Sequence, residues 1–150
     1  MGRYVKAEIS TGVYKALADI RRYDAATQTE IYGAVQDKTK EVYTQAVQLA
    51  PSKAGNLKAS IKYYVNRSQS GIAGTVYTKD PVAHLVEFGA RSAVEIPIRK
   101  KALHPGAAGW FMAKATIPRR SPHPFMKPAM DTVRPSIESA IKEAVIKHAD

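Results

Sequence analysis

The spacing of apolar residues changes at Pro51, from the period of a helix before it to the period of a strand after it. Residues 27–50 carry an apolar face at helical spacing, and Thr27 with Glu30 has the S/T-x-x-E spacing of a capping box. Pro51 disfavours helical backbone at Ala50, so the helix should end there. The predicted buried face comprises Ile31, Val35, Val42, Ala46 and Leu49.

After this helix, residues 57–66 alternate apolar and polar side chains, which predicts a strand with one buried and one solvent-facing side. Residues 72–78 follow a turn and predict the return strand of an antiparallel hairpin. Residues 82–88 then predict a helical turn or two with a broad apolar stripe. The expected buried positions of the first strand are Leu57, Ala59, Ile61, Tyr63 and Val65.

The remaining apolar patterns lie before the long helix and after residue 88. A shorter helix is predicted over residues 12–23, and two short strands are predicted at residues 94–98 and 110–117. A final amphipathic helix is expected over residues 125–148, where Pro135 should either kink it or make it restart.

These elements predict an α+β fold, in which an antiparallel sheet of about four strands packs against the long helix of the N-terminal half and the C-terminal helix. A single domain is expected over residues 1–150. A mobile loop is expected within residues 90–123, because four prolines interrupt its short apolar pieces.

The charge of the chain favours an acidic partner. Lys and Arg number 23 against 13 Asp and Glu, which gives a formal net charge of +10. The excess is concentrated between Arg91 and Arg134, where the only acidic residues are Glu95 and Asp131. Such a segment is either a solvated surface, a loop that contacts a protein partner, or a nucleic-acid contact, and composition does not choose among them.

The search for catalytic and metal sites is negative. The chain has no cysteine, its four histidines are scattered, and no phosphate-binding, dinucleotide-binding or nucleophile-elbow motif occurs. His84 and Glu87 could form an acid–base pair, but a surface ion pair explains the same spacing. We therefore expect no enzyme activity, no metal and no cofactor. No signal peptide or membrane span is indicated either, so the protein should be made and kept in the host cytoplasm.

Three short sequence blocks occur in a fixed order. Residues 50–61 read A-P-S-K-A-G-N-L-K-A-S-I, residues 84–89 read H-L-V-E-F-G, and residues 124–130 read P-F-M-K-P-A-M. They resemble the A-P-x-x-x-G-x-L-x-x-S-I, V-E-F-G and P-F-x-[RK]-P-A-[LM] blocks of the phage tail-completion proteins of long-tailed, lambda-like bacteriophages, the gene product ten-like family. The resemblance covers nearly the whole chain from about Val13 onward. The motif residues are Pro51, Gly55, Leu57, Ser60, Ile61, Glu87, Phe88, Gly89, Pro124, Phe125, Pro128 and Ala129.

The resemblance implies a non-enzymatic virion protein that completes the phage tail at the head–tail neck. It implies a homo-oligomeric ring, expected to be a hexamer, that binds the tail terminator or tail tube and the connector or stopper proteins of the head. The implied location is the tail side of the neck in the finished virion and the host cytoplasm during assembly. The competing function is a basic DNA-binding protein, because phage DNA passes through the neck and the positive charge suits its phosphates.

Mainly structural roles are expected for the motif residues. Gly55 permits a turn, Phe88 is expected to anchor the short helix in the core, and Gly89 ends that helix. The partner surface is therefore expected between residues 90 and 123, because Trp and Arg are frequent interface anchors. The two aromatic residues there could equally pack a strand edge. The expected contact residues are Arg99, Lys100, Lys101, Trp110, Phe111, Arg119 and Arg120.

Overall fold

The computed structural model describes residues 5–10, 23–51, 56–68, 71–95 and 115–147 of the chain. The helix predicted over residues 12–23 lies outside them apart from its last residue. The elements in chain order are β1 (Val5–Ser10), α1 (Ala25–Leu49), α2 (Leu57–Ser60), β2 (Ile61–Ser68), β3 (Gly71–Thr78), α3 (Ala83–Phe88), β4 (Ala93–Glu95), β5 (Ala115–Ile117) and α4 (Met126–Ile146).

Helix α1 confirms the long predicted helix, but its first turn differs from the expectation. Asp24 caps the helix, since its side chain accepts a hydrogen bond of 2.8 Å from the Thr27 amide. The capping box predicted at Thr27 was therefore wrong, and this threonine is buried in the first turn. Ala50 has extended backbone before Pro51, as predicted. The buried stripe of the helix and its C-cap is Thr27, Ile31, Val35, Thr39, Val42, Ala46 and Ala50.

Leu49 was wrongly assigned to this stripe, because its side chain is 45% exposed. The stripe advances in steps of three and four residues and reaches Ala50 after Ala46. Leu49 is one residue earlier and therefore about 100° away around the helix axis.

The main sheet is antiparallel and has the strand order β1-β3-β2 among the described residues. The predicted hairpin is confirmed, with Ile61 paired to Thr78 and Ser68 to Gly71. Strand β1 pairs along the other edge of β3 and was not foreseen. The prediction of one sheet of about four strands was wrong, because β4 and β5 pair only with each other in the described part of the chain.

The corner after α1 was predicted to be strand from Leu57 onward, but its first four residues form α2. Leu57 and Ile61 are both buried, as predicted. A spacing of four residues places two side chains on one side of either a helix or a strand, so the pattern did not distinguish the two. Further along, Tyr63 is 37% exposed and lies against Tyr43, with ring centroids 5.0 Å apart. Of the other positions predicted to be buried, Val65 is half-buried and Ala59 of α2 is exposed, so the buried face was predicted correctly only in part.

Helix α4 packs along α1 and confirms the predicted C-terminal helix. It continues through Pro135, which lies on the exposed face. Proline has no amide hydrogen to donate to the Asp131 carbonyl, and this carbonyl is on the solvent side. On the same face, a hydrogen bond from Lys127 holds the pKa of Asp131 below its usual value. The buried stripe of α4 is Met126, Ala129, Val133, Ile137, Ile141 and Ala144.

Gly74 allows α1 to lie close to the centre of the sheet. A Cβ atom at this position would overlap the Thr39 hydroxyl and lie 2.9 Å from Thr39 Cβ. Thr39 is fully buried, and its hydroxyl donates to the Val35 carbonyl at 2.6 Å, so it has no free space to move into. The small residue in β3 therefore sets the distance between helix and sheet.

We expect Gly74→Ala to lower the free energy of unfolding by about 2–3 kcal/mol, because the added methyl group overpacks the core. Gly33→Ala is the matched control, since no atom lies within 4 Å of a Cβ built on that α1 residue. It should raise stability by up to about 1 kcal/mol through helix propensity. Urea denaturation of both variants measures the difference, and equal effects would contradict the close approach of α1 and β3.

Candidate functional site

The second and third sequence blocks meet where α3 lies against the start of α4. The carboxylate of Glu87 accepts backbone hydrogen bonds from Phe125 at 2.8 Å, Met126 at 3.0 Å and Lys127 at 2.9 Å. These amides belong to the first turn of α4, which has no partner for them within its own helix. Glu87 is only 5% exposed, so a buried carboxylate caps a helix that begins 39 residues later in the chain.

Glu87 was expected to have a mainly structural role as a motif residue, and an acid–base or surface ion pair with His84 was considered, but its capping of α4 was not foreseen. The negative charge lies at the positive end of the α4 dipole and is further stabilised by the three amide donors. All three contacts are made within the protein, so the group is a structural cap. No local sequence signal distinguishes such a cap from an exposed glutamate.

Gly89 makes the close approach of the two blocks possible. Its φ of +72° lies in the left-handed region, and a Cβ atom would come within 2.6 Å of the Arg120 carbonyl oxygen. Immediately after it, Ala90 and Arg120 exchange two backbone hydrogen bonds of 2.9 and 2.8 Å. The His123 amide also donates to the Val86 carbonyl at 2.8 Å. The chain returning from β5 is thus fixed against α3.

Phe88 lies on the surface, and its prediction as a core anchor was wrong. Its side chain is 74% exposed, whereas Ala83 and Glu87 form the buried face of α3. Those two residues are four apart and share one side of the helix, so the next residue is rotated by about 100° toward solvent. An apolar residue of a sequence motif is therefore left on the surface.

The first block lies beside the same junction. Pro51 borders a cleft of about 380 Å³ together with Leu85 and Val86 of α3 and the returning segment Arg120, Ser121 and His123. Ser60 stabilises the corner, since its hydroxyl lies 2.7 Å from the Leu57 carbonyl and 2.6 Å from the Thr78 hydroxyl. Gly55 lies outside the described residues. The structure thus brings parts of all three blocks to one end of the molecule.

Of the seven expected contact residues, Arg119 and Arg120 are described, and both are exposed at this junction. Arg99, Lys100, Lys101, Trp110 and Phe111 lie outside the described residues, as does most of the predicted mobile loop. Of the other motif residues, Pro124 is exposed and Pro128 half-buried in the first turn of α4, while Phe125 and Ala129 are in the core.

Arg91, the first residue of the basic segment, lies at this junction although it was not among the seven expected contact residues. Ala90 pairs with Arg120 and Ala93 with Ile117, so the register places Arg91 opposite Arg119. All three arginines are exposed, and none forms an ion pair with a carboxylate of the described residues. Like charges at opposed strand positions repel each other. The arrangement therefore favours an external anion.

No metal-binding cluster of histidine and carboxylate side chains occurs among the described residues. No helix in the described part of the chain is long and apolar enough to cross a membrane.

The chain was compared with protein families, curated proteins and solved structures. The model of the family described as "Bacteriophage HK97-gp10, putative tail-component" matches residues 15–89, which is half of the chain. That range includes the first two sequence blocks and ends at Gly89, whereas the third block lies outside it. No curated protein and no solved structure matches the chain.

Proposed function

The chain belongs to the HK97-gp10-like family of bacteriophage tail components, and from this membership we propose that it completes the tail at the head–tail neck. The family match is the observation that carries the proposal, because it covers α1, the hairpin and α3 together. The protein acts by binding other structural proteins of the virion, namely the tail terminator or tail tube on one side and the connector or stopper on the other.

The arrangement of the motif residues supports a binding role. The buried carboxylate of Glu87 is fully used by the first turn of α4, so it is not free to act on a substrate. Phe88, in contrast, is exposed to solvent two residues before Ala90, which pairs with Arg120, and the side chains of Arg91, Arg119 and Arg120 are exposed as well. Apolar and arginine side chains together are typical of protein–protein contacts.

We further propose that the working form is a homo-oligomeric ring, a hexamer, that closes on the end of the tail. A net charge of +10 on each copy opposes self-association in free solution. The surface of the tail supplies the anionic and apolar groups that offset this repulsion. Assembly on the tail, and not before it, follows from this charge.

The expected result of deleting the gene from its phage is a lysate with DNA-filled heads and separate tails. Electron micrographs of the lysate measure this, and a plasmid copy of the gene should restore joined particles. A defect in tail length, or heads without DNA, would place the protein elsewhere in assembly. Normal virions in the deletion lysate would refute the neck function.

A second candidate is DNA binding, which is favoured by the face of the hairpin that points away from α1. Lys62 lies opposite Tyr77 in the strand register, and the Tyr64 ring is 52% exposed with its centroid 5.7 Å from that of Tyr77. Lysines beside exposed aromatic rings suit single-stranded nucleic acid. Binding to DNA of any sequence that falls steeply with salt would support this candidate, and no binding at low salt would exclude it.

A further inference from the structure

Helix α3 carries an exposed apolar stripe beside the cleft at the junction. Val82, Leu85 and Phe88 follow one another at intervals of three residues, so each is a neighbour of the next on the surface of the helix and its N-cap. Val82 is 37% exposed, Leu85 is half-buried, and Phe88 is 74% exposed. We call these three residues the α3 stripe. Large apolar side chains grouped on a surface in this way mark binding sites more often than scattered ones do.

The surroundings of the α3 stripe are positively charged. Arg120 borders the same cleft as Leu85, and the register places Arg91 opposite Arg119 on the adjoining segment. The nearby carboxylates differ: Glu87 is buried as the cap of α4, whereas Asp80 accepts a hydrogen bond of 2.8 Å from the Val82 amide and keeps its negative charge at that end of the α3 stripe. The surface is therefore apolar along α3 and cationic on the side where Leu85 and Arg120 border the cleft.

We infer that the α3 stripe and its arginines bind an acidic segment with apolar side chains on a neighbouring tail or neck protein. This inference rests on the proposed function and adds the chemistry of the partner. Phe88 enters an apolar site of the partner, and the partner's carboxylates pair with Arg119 and Arg120. Partly desolvated arginine–carboxylate pairs add both affinity and orientation.

A second copy of the chain fits this surface less well than an acidic partner does. The exposed carboxylates of α1 and α4 are largely paired within their own chain: Glu41 with Lys38, Glu138 with Lys142, and Asp131 with Lys127 and Arg134. Symmetric contact between two α3 stripes would also bring two sets of arginines together. Charge complementarity therefore points to a different protein.

Two pairs of variants test the inference with charge and exposure matched. Phe88→Ser removes the exposed ring, and Ile146→Ser is its control, because that side chain is 70% exposed at the far end of α4. Arg119→Glu/Arg120→Glu reverses the sign of the charge at the two arginine positions. Lys40→Glu/Lys142→Glu is its control, with the same change of net charge at two exposed lysines of α1 and α4. All six positions carry surface side chains, and thermal melting verifies that each of the four variants folds.

Binding is measured with two probes. One is a synthetic amphipathic helix of about five turns built from leucine and glutamate. The other is tails purified from the gene-deletion phage. We expect Phe88→Ser and the double arginine variant to weaken binding to both probes at least about tenfold, equivalent to about 1.4 kcal/mol, while both controls bind like the wild type.

The two probes distinguish a failure of the α3 stripe as the docking surface from a failure of the proposed neck function. If tails bind the wild type and all variants equally, the α3 stripe is not the docking surface, although the tail function stands. If the peptide result is as expected but tails do not bind the wild type, the surface chemistry is supported and the neck function fails. If Phe88→Ser instead abolishes self-association, the occupant is a second copy, and the assignment to an acidic partner is overturned.

Discussion

Glu87→Ala should lower the free energy of unfolding by about 4 kcal/mol. The change removes the acceptor of three backbone amides, two of them buried, at the start of α4. Each hydrogen bond to a charged group contributes about 1.5–3 kcal/mol, and buried donors left without a partner add their own cost. Part of this loss is offset because the variant no longer buries a carboxylate. The expected loss is therefore smaller than the sum of the three hydrogen-bond contributions.

Chemical denaturation and amide hydrogen exchange measure the effect. Exchange should accelerate first at Phe125, Met126 and Lys127, whose amides lose their acceptor. The free energy of unfolding of Glu87→Gln should lie between those of Glu87→Ala and the wild type. The side-chain amide oxygen of glutamine still accepts hydrogen bonds but carries no charge. Glu138→Ala is the control, since this exposed residue only pairs with Lys142, and it should change stability by less than about 0.5 kcal/mol. If Glu87→Ala matches this control, the cap contributes nothing.

The second large effect is expected at the corner after α1. Leu57→Ala should cost about 2–5 kcal/mol, because Leu57 is fully buried and the deletion leaves a cavity in the core. Lys58 is the adjacent residue of α2 and is only half-buried. Lys58→Ala should therefore remain within about 0.5 kcal/mol of the wild type.

Urea denaturation of the Leu57 and Lys58 variants tests which side of the corner is buried. The slope of unfolding free energy against urea should stay unchanged in both, since the change is local and the surface exposed on unfolding is nearly the same. Similar losses at the two positions would mean that the corner does not pack as described.

These two positions illustrate how the motif residues divide. Leu57 and Glu87 are buried and hold elements in place, whereas Phe88 is adjacent to Glu87 in sequence and lies on the surface. One short block therefore contains both a structural cap and a candidate contact residue. Substitutions at Glu87 should act through stability, and those at Phe88 should act through binding without a change in stability.

The sequence by itself determined the elements whose signal is local. The helical period before Pro51 predicted α1 and its end, the alternation and turn predicted the hairpin of β2 and β3, and a second helical period predicted α4. Each follows from neighbouring residues alone, since apolar spacing reports which side of one element is buried. The positive charge near Arg119 and Arg120 was equally visible in the composition.

Only the tertiary structure decided where distant elements meet. Glu87 is separated by 38 residues from the first amide that it caps, so no local pattern could assign it that role. Phe88 had the composition of a core residue, yet the burial of Ala83 and Glu87 left it exposed. Arg91 lies opposite Arg119 only because of the register between Ala90–Arg120 and Ala93–Ile117. Apolar spacing describes one element at a time, whereas caps, register and exposure depend on the partner that each element packs against.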